Sequence, residues 1–363
     1  MMQSTLEVSR LSRPVVASAV PRTRISPNLD LLRAIAVLCV LVSHLFSALG
    51  YRNLGSLGRF GVVLFFIHTS LVLMASLDRM STVGSGWKLA AAFWVRRIFR
   101  IYPLSVFFVL LVVLFHIPAD PALIYSWIGV KAFVSNLALT QNLTYSDNIL
   151  APLWSLPLEV QMYGFLPFAY FIVRKGRYRS LALWVLAVPL AIFIPEVTAR
   201  LSVFLYAPCF LSGVVAFDLL REKRVRRLPA WLWPLGIVLA ILLFGPADNI
   251  SLGHKLYRAW ALSLGLAVLY VNTDEIANRR SQPALHWIAE HSYGIYLSHI
   301  VLIWVALHKL HTAWASTLFL VVTLPVVPEL LYRVIEHPLT LAGAHLSRRV
   351  LREDAILSGE TGR

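Results

Sequence analysis

The sequence predicts an all-α integral membrane protein, a polytopic bundle of about ten transmembrane helices with both termini in the cytoplasm. Three observations predict it. Apolar residues make up 58% of the 363 and the mean hydropathy is +0.71. Charged residues are only 14%, against about 25% in a soluble domain. Apolar stretches recur at roughly the 20-residue length that a helix needs to cross the hydrocarbon core. An ordinary soluble enzyme, a disordered chain and a disulfide-stapled secreted domain are thereby excluded. Cys39 and Cys209 are the two cysteines, and both sit in apolar runs, which argues against a disulfide framework or a thiolate metal site.

The expected spans are 29–50, 58–78, 101–117, 150–173, 180–197, 199–219, 230–246, 253–271, 291–310 and 313–335. With a cytoplasmic N-terminus, 24 of the 33 Lys and Arg fall in cytoplasmic segments and 7 on the opposite face, while Arg33 and Arg333 lie in spans. This asymmetry follows the positive-inside rule. It accounts for the net charge of +15 and the pI near 10.2 without a nucleic-acid partner. Residues 118–149 are apolar in part; a further span there would turn clusters 174–179 and 221–227 outward, so an outward loop with an interfacial or re-entrant helix is expected. Residues 1–27 lack the apolar core of a signal peptide and read as a flexible cytoplasmic tail. Residues 28–340 form the membrane domain, and 341–363 a second polar cytoplasmic tail.

Ionisable groups inside spans are costly and are functional candidates by default. On the first span Asp30, Arg33 and His44 share one side at about 100° per residue. An Asp30–Arg33 pair and a His44 that glues two helices are the plain structural alternatives. On the fourth span Ser155, Glu159 and Tyr163 fall at i, i+4 and i+8, behind Trp154, an interfacial-anchor type of residue. Pro157 is expected to bend this helix and free a carbonyl. Glu159 and His44 come out at similar depth, which makes them expected partners. The ninth span places Ser292, Tyr296 and His299 on one stripe. The tenth carries Glu329, Arg333 and Glu336, with a Glu329–Arg333 pair as its natural reading. His68 on the second span has no evident partner. Ahead of the third span, Arg96, Arg97 and Arg100 crowd the cytoplasmic edge. Such guanidinium forks suit phosphate oxygens, although lipid headgroups attract the same charge.

Together these segments resemble the acyltransferase family 3 membrane proteins, which include glycan O-acetylases. The resemblance rests on Leu29-Asp30-Leu31-Leu32-Arg33 followed by His44, and on Gly61-Val62-Val63-Leu64-Phe65-Phe66-Ile67. It continues through Arg97-x-x-Arg100-Ile101-x-Pro103, Trp154-Ser155-Leu156-x-x-Glu159-x-x-x-Tyr163, Ser292-Tyr293-Gly294-Ile295-Tyr296-Leu297-x-His299 and Ile335-Glu336-x-Pro338. The family's usual Gly is Leu31 here, its usual Asp is Val63, its Ser-Gly is Thr69-Ser70, and His68 replaces an apolar residue.

The resemblance implies transfer of an acyl group, commonly acetyl, from cytosolic acyl-CoA to a hydroxyl of a carbohydrate or glycoconjugate, in a bacterial inner membrane. On that reading Arg33, Arg96, Arg97 and Arg100 hold the acyl-CoA phosphates. His44 is the general base, since imidazole titrates near the working pH, and Glu159 orients it. Asp30, Trp154, Ser155, Tyr296 and His299 are candidates for acceptor binding or thioester polarisation. No metal-ligand set is apparent. A transporter or flippase for a lipid-linked or small polar substrate is the competing class; it calls for paired halves with broken helices, and no internal repeat is visible.

Overall fold

Backbone polar groups find no water in hydrocarbon, so a spanning chain closes its hydrogen bonds within helices. The computed structural model describes residues 26–51, 54–118, 129–176, 178–222, 227–245, 252–277 and 280–357, with the side chains of 252–255 and 352–357 excepted. Each of the ten expected spans coincides with a helix. These are α1 (Pro27–Ala48), α2 (Gly55–Met80), α3 (Gly86–Phe115), α6 (Leu156–Val173), α7 (Arg179–Val197), α8 (Val203–Arg221), α9 (Leu232–Phe244), α10 (Leu252–Asn272), α11 (Gln282–His308) and α12 (Ala313–Leu331). Among the described residues, seven helical stretches are long and apolar enough to cross a membrane by length and composition. α9 is shorter than the membrane-crossing length, and α10 and α11 carry Arg258 and Glu290 among their polar residues. The fold is that of an all-α, multi-pass membrane protein.

Three boundaries differ from the sequence reading. α3 begins about four turns before its apolar core, so Arg96, Arg97 and Arg100 ride on the helix itself. In the segment 118–149 two short helices form, α4 (Val130–Ala138) and α5 (Gln141–Thr144), while 119–128 lie outside the described residues. Past α12 the chain makes a π-helical turn, Tyr332–Glu336, and continues as α13 (His337–Leu357). Residues 341–357, read as part of a polar tail, are thus helical and packed along α3, with Ser347 and Leu351 buried. The first tail falls outside the described residues up to position 25.

The start of α1 is fixed firmly. Ser26 caps it, with Pro27 in the first turn, where a missing N–H costs nothing. Asn28 Nδ2 donates to the Asp274 carbonyl at 3.0 Å, and Trp233 Nε1 donates to the Asn28 carbonyl at 2.9 Å. α1 then packs between α2 and α11, and α2 packs against α8. Two glycines allow these close approaches. A Cβ at Gly61 would stand 2.6 Å from the Ala36 carbonyl oxygen, and one at Gly213 would stand 2.3 Å from that of Ile67.

α6 is preceded by a 3-10 turn, Ala151–Ser155. Pro157 therefore sits in the first turn of α6 rather than bending a continuous helix. The Leu153 carbonyl, which Pro157 cannot serve, accepts from Gln141 Nε2 at 3.1 Å.

Candidate active site

α1, α2, α3, α6 and α11 enclose three cavities in series. The first is lined by Arg33, His68, Arg97, Arg100, Glu159 and Tyr163 among others, and has a volume of about 90 Å³. It shares Arg33, Thr69, Glu159 and Tyr293 with a middle chamber of about 60 Å³ that Ser155, Ser292 and Tyr296 also line. Val62 and Tyr296 in turn belong to both the middle chamber and a third cavity of about 390 Å³, lined by His44, Ser43, Ser47, Arg59, Trp154 and Tyr206. Arg33 and His44 stand at opposite ends of this series. Eleven residues of α1 separate them, about 16 Å of axial rise.

The arginine chamber is a charged cluster. Arg100 is ion-paired with the buried Glu336 and lies over the Tyr293 ring at 5.6 Å. The Tyr293 hydroxyl donates to the Ile101 carbonyl at 2.7 Å. The Tyr163 hydroxyl donates to Glu159, as the i, i+4 spacing predicts. Arg97 has a buried Nε with no protein partner among the described residues, and so does Glu336 Oε2. Arg33, Arg97 and Arg100 thus face the carboxylates of Glu159 and Glu336, which leaves one positive charge in excess. Buried polar atoms are nearly always satisfied, and a guanidinium that lines a cavity with an unmatched charge suits an anion.

At the other end the His44 ring meets His299, with Nδ1 of the first 2.9 Å from Nε2 of the second. Next to them the Tyr296 hydroxyl donates to the Pro152 carbonyl at 2.9 Å and accepts from Ser155 Oγ at 2.7 Å. These bonds tie α11 to the 3-10 turn and hold the wall between the middle and histidine chambers.

Several expected site residues take other places. Glu159 does not orient His44: it belongs to the arginine and middle chambers, and the ring's partner is His299. Similar depth on two helices says nothing about which way each side chain faces, and that is where the expected pair fails. Asp30 pairs not with Arg33 but with His286, Oδ2 to Nδ1 at 2.9 Å, beside a separate cavity lined by Pro27, Gln282 and Pro283. Arg96 does not line the arginine chamber; its Nε donates to Ser347 Oγ of α13 at 3.0 Å. Trp154, Ser155, Tyr296 and His299 all line the chambers or touch their lining. The Glu329–Arg333 contact forms as expected, at 2.5 Å. Sequence reasoning counted Arg59 only as a charge on the outer face and gave no role to His68, which is buried against the arginine chamber. Thr69 beside it forms a wall of two chambers, so two of the second-helix departures, His68 and Thr69, fall on the cavity lining. The i, i+3 and i+4 spacing of Arg59, Val62, Phe66 and Thr69 is the signal that could have found this face.

Known proteins place these features in a lineage. The chain is 26% identical over 369 residues to the peptidoglycan O-acetyltransferase OatA of Listeria monocytogenes, a match covering 87% of this chain and 56% of that protein. It is 26% identical over 370 residues to Bacillus subtilis YrhL, provisionally named a peptidoglycan O-acetyltransferase, with 90% and 57% covered. A Staphylococcus aureus protein provisionally named an O-acetyltransferase is 26% identical over 362 residues, with 89% and 58% covered. The chain spans somewhat over half the length of these relatives. No solved structure matches it. The acyltransferase domain family matches residues 26–328, a stretch that begins at the cap of α1 and takes in all three chambers, and the chain accordingly belongs to the acyltransferase 3 family of membrane proteins.

Proposed function

We propose that this protein transfers an acyl group, acetyl by analogy with its relatives, from acyl-CoA at the arginine chamber to a carbohydrate hydroxyl at the histidine chamber. The observation that carries this reading is the series of adjoining cavities, with unsatisfied guanidinium at one end and an imidazole at the other. Acyl-CoA is polyanionic, and its phosphates suit Arg97 and Arg33. Arg100 is held by Glu336 and supports the chamber from its wall. The slender thioester arm fits the narrow middle chamber, whose wall is fixed by the hydrogen bonds of Ser155, Ser292 and Tyr296 to the protein. The wider third cavity takes the acceptor, with Trp154 as an aromatic face and Arg59 and Ser47 as donors. The positive-inside asymmetry supports a cytoplasmic arginine end, on the side where acyl-CoA is made.

In the reaction, the acceptor O–H gives its proton to His44 as its oxygen bonds to the acyl carbon. The C–S bond then breaks, and the proton passes from the imidazolium to the departing thiolate. A general base of this kind contributes about 10²–10⁴-fold. The test is thiol release from acetyl-CoA by purified protein, with and without a glycan acceptor. His44→Ala should abolish acceptor-dependent release while the protein still inserts and expresses. Full activity in that variant removes His44 as the base.

A further inference from the structure

We infer that His299 is a positioning residue that sets the tautomer of His44, leaving the His44 Nε2 lone pair bare for the acceptor proton. This rests on His44 acting as the base. The proton positions follow from the partners. His299 Nδ1 lies 3.1 Å from the carbonyl oxygen of Ile295, one turn back on α11. A carbonyl can only accept, so Nδ1 carries the hydrogen. In the neutral ring Nε2 is then an acceptor, and it lies 2.9 Å from His44 Nδ1. His44 must therefore donate from Nδ1, and its own Nε2 holds the free lone pair.

The reverse arrangement would put protons on both nitrogens of His299. That ring would then be a cation at 1% exposure, buried between α1 and α11, with no carboxylate against either imidazole among the described residues. Such a charge is expensive in this setting. His44 lines the large cavity, and no protein partner for its Nε2 occurs among the described residues. The Val40 carbonyl, one turn back on α1, also faces the His44 ring. His291, His299 and His308 all make the same one-turn bond through Nδ1. On His44 that contact favours the same tautomer. His299 adds the lateral restraint from a second helix, fixing the ring plane that a bond within α1 leaves free to tilt.

The pair thus does the work of the histidine–acid arrangement of hydrolases with a neutral acceptor. When His44 takes up the acceptor proton on Nε2 it keeps its Nδ1 proton, and the imidazolium is stabilised by a charge-assisted bond to His299. An imidazole acceptor suits a bilayer interior better than a carboxylate, because it carries no charge in the resting state.

The test uses the full-length protein labelled with ¹⁵N-histidine in lipid nanodiscs, with His44→Ala to assign the His44 signals. In the wild type the His44 Nδ1 resonance should be protonated and Nε2 bare. His299→Ala should raise the population of the opposite tautomer and lower kcat by about tenfold, with the KM for a glycan acceptor within twofold. His299→Gln, whose amide oxygen accepts from the same position, should recover most of that loss. Two results overturn the inference while leaving the proposed base intact. One is a protonated His44 Nε2 in the wild type; the other is wild-type kcat in His299→Ala alongside an inactive His44→Ala. If His299→Ala fails to fold, the wild-type spectrum still tests the tautomer, and a His299→Gln that folds with wild-type tautomer but far below wild-type kcat overturns the role of His299. Activity in His44→Ala would instead remove the base, and this inference with it.

Discussion

The two end chambers are built on different principles. The arginine chamber is small, crowded with full charges, and braced by an ion pair and tyrosine hydroxyls. The histidine chamber is roughly four times larger and mainly aromatic and hydroxylic, with Arg59 and His44 as its basic side chains. The difference fits a fixed ligand at one end and a variable one at the other. A donor with an invariant set of phosphates rewards rigid, preorganised charge. A glycan with many alternative hydroxyls is better served by a roomy pocket with one well-placed base.

That contrast can be broken by substitution, and the largest effect tests it most directly. His44→Ala should reduce kcat by about 10²–10⁴-fold and leave acetyl-CoA affinity unchanged in equilibrium binding. Next, Glu336→Ala strips the half-buried Arg100 of its counter-charge, an effect of about 1.5–3 kcal/mol for a charged hydrogen bond. It should lower the unfolding temperature in detergent and deplete the protein from membranes, whereas Glu336→Gln should fall between. Arg97→Ala removes a guanidinium with an unsatisfied nitrogen and leaves the Arg100–Glu336 pair whole. The Kd for acetyl-CoA should rise roughly tenfold to a hundredfold, in line with about 1.5–3 kcal/mol for a charged hydrogen bond. Gly61→Val drives a side chain into the α1 backbone and should cost about 1–3 kcal/mol of stability. Smallest of all, Trp154→Ala should raise the acceptor KM severalfold and leave donor affinity alone. Were Trp154→Ala to weaken acetyl-CoA binding as Arg97→Ala does, the division of labour between the chambers would be wrong.

Much of this was legible from sequence, for definable reasons. Span length and the Lys/Arg bias reflect the solvent, and they located a helix at every expected position. Stripes such as Glu159 and Tyr163 are set by helical repeat alone, and they formed as read. What sequence does not carry is azimuth between helices. His44 and His299 stand 255 positions apart, and only the packing of α1 against α11 brings them together; depth alone pointed to Glu159. The Asp30–His286 pair escaped for the same reason. His68 and Arg59 were obscure because the α2 face that lines the chambers mixes them with apolar residues.

The π-helical turn at Tyr332–Glu336 has a consequence of its own. One additional residue in that turn offsets everything after it by about 100° around the axis. This swings Glu336 inward to Arg100, while Arg333, three positions earlier, stays largely solvent- or lipid-facing. Excising a single residue there would straighten the rod and carry the carboxylate to its outer surface. The arginine chamber would come undone with none of its arginines altered.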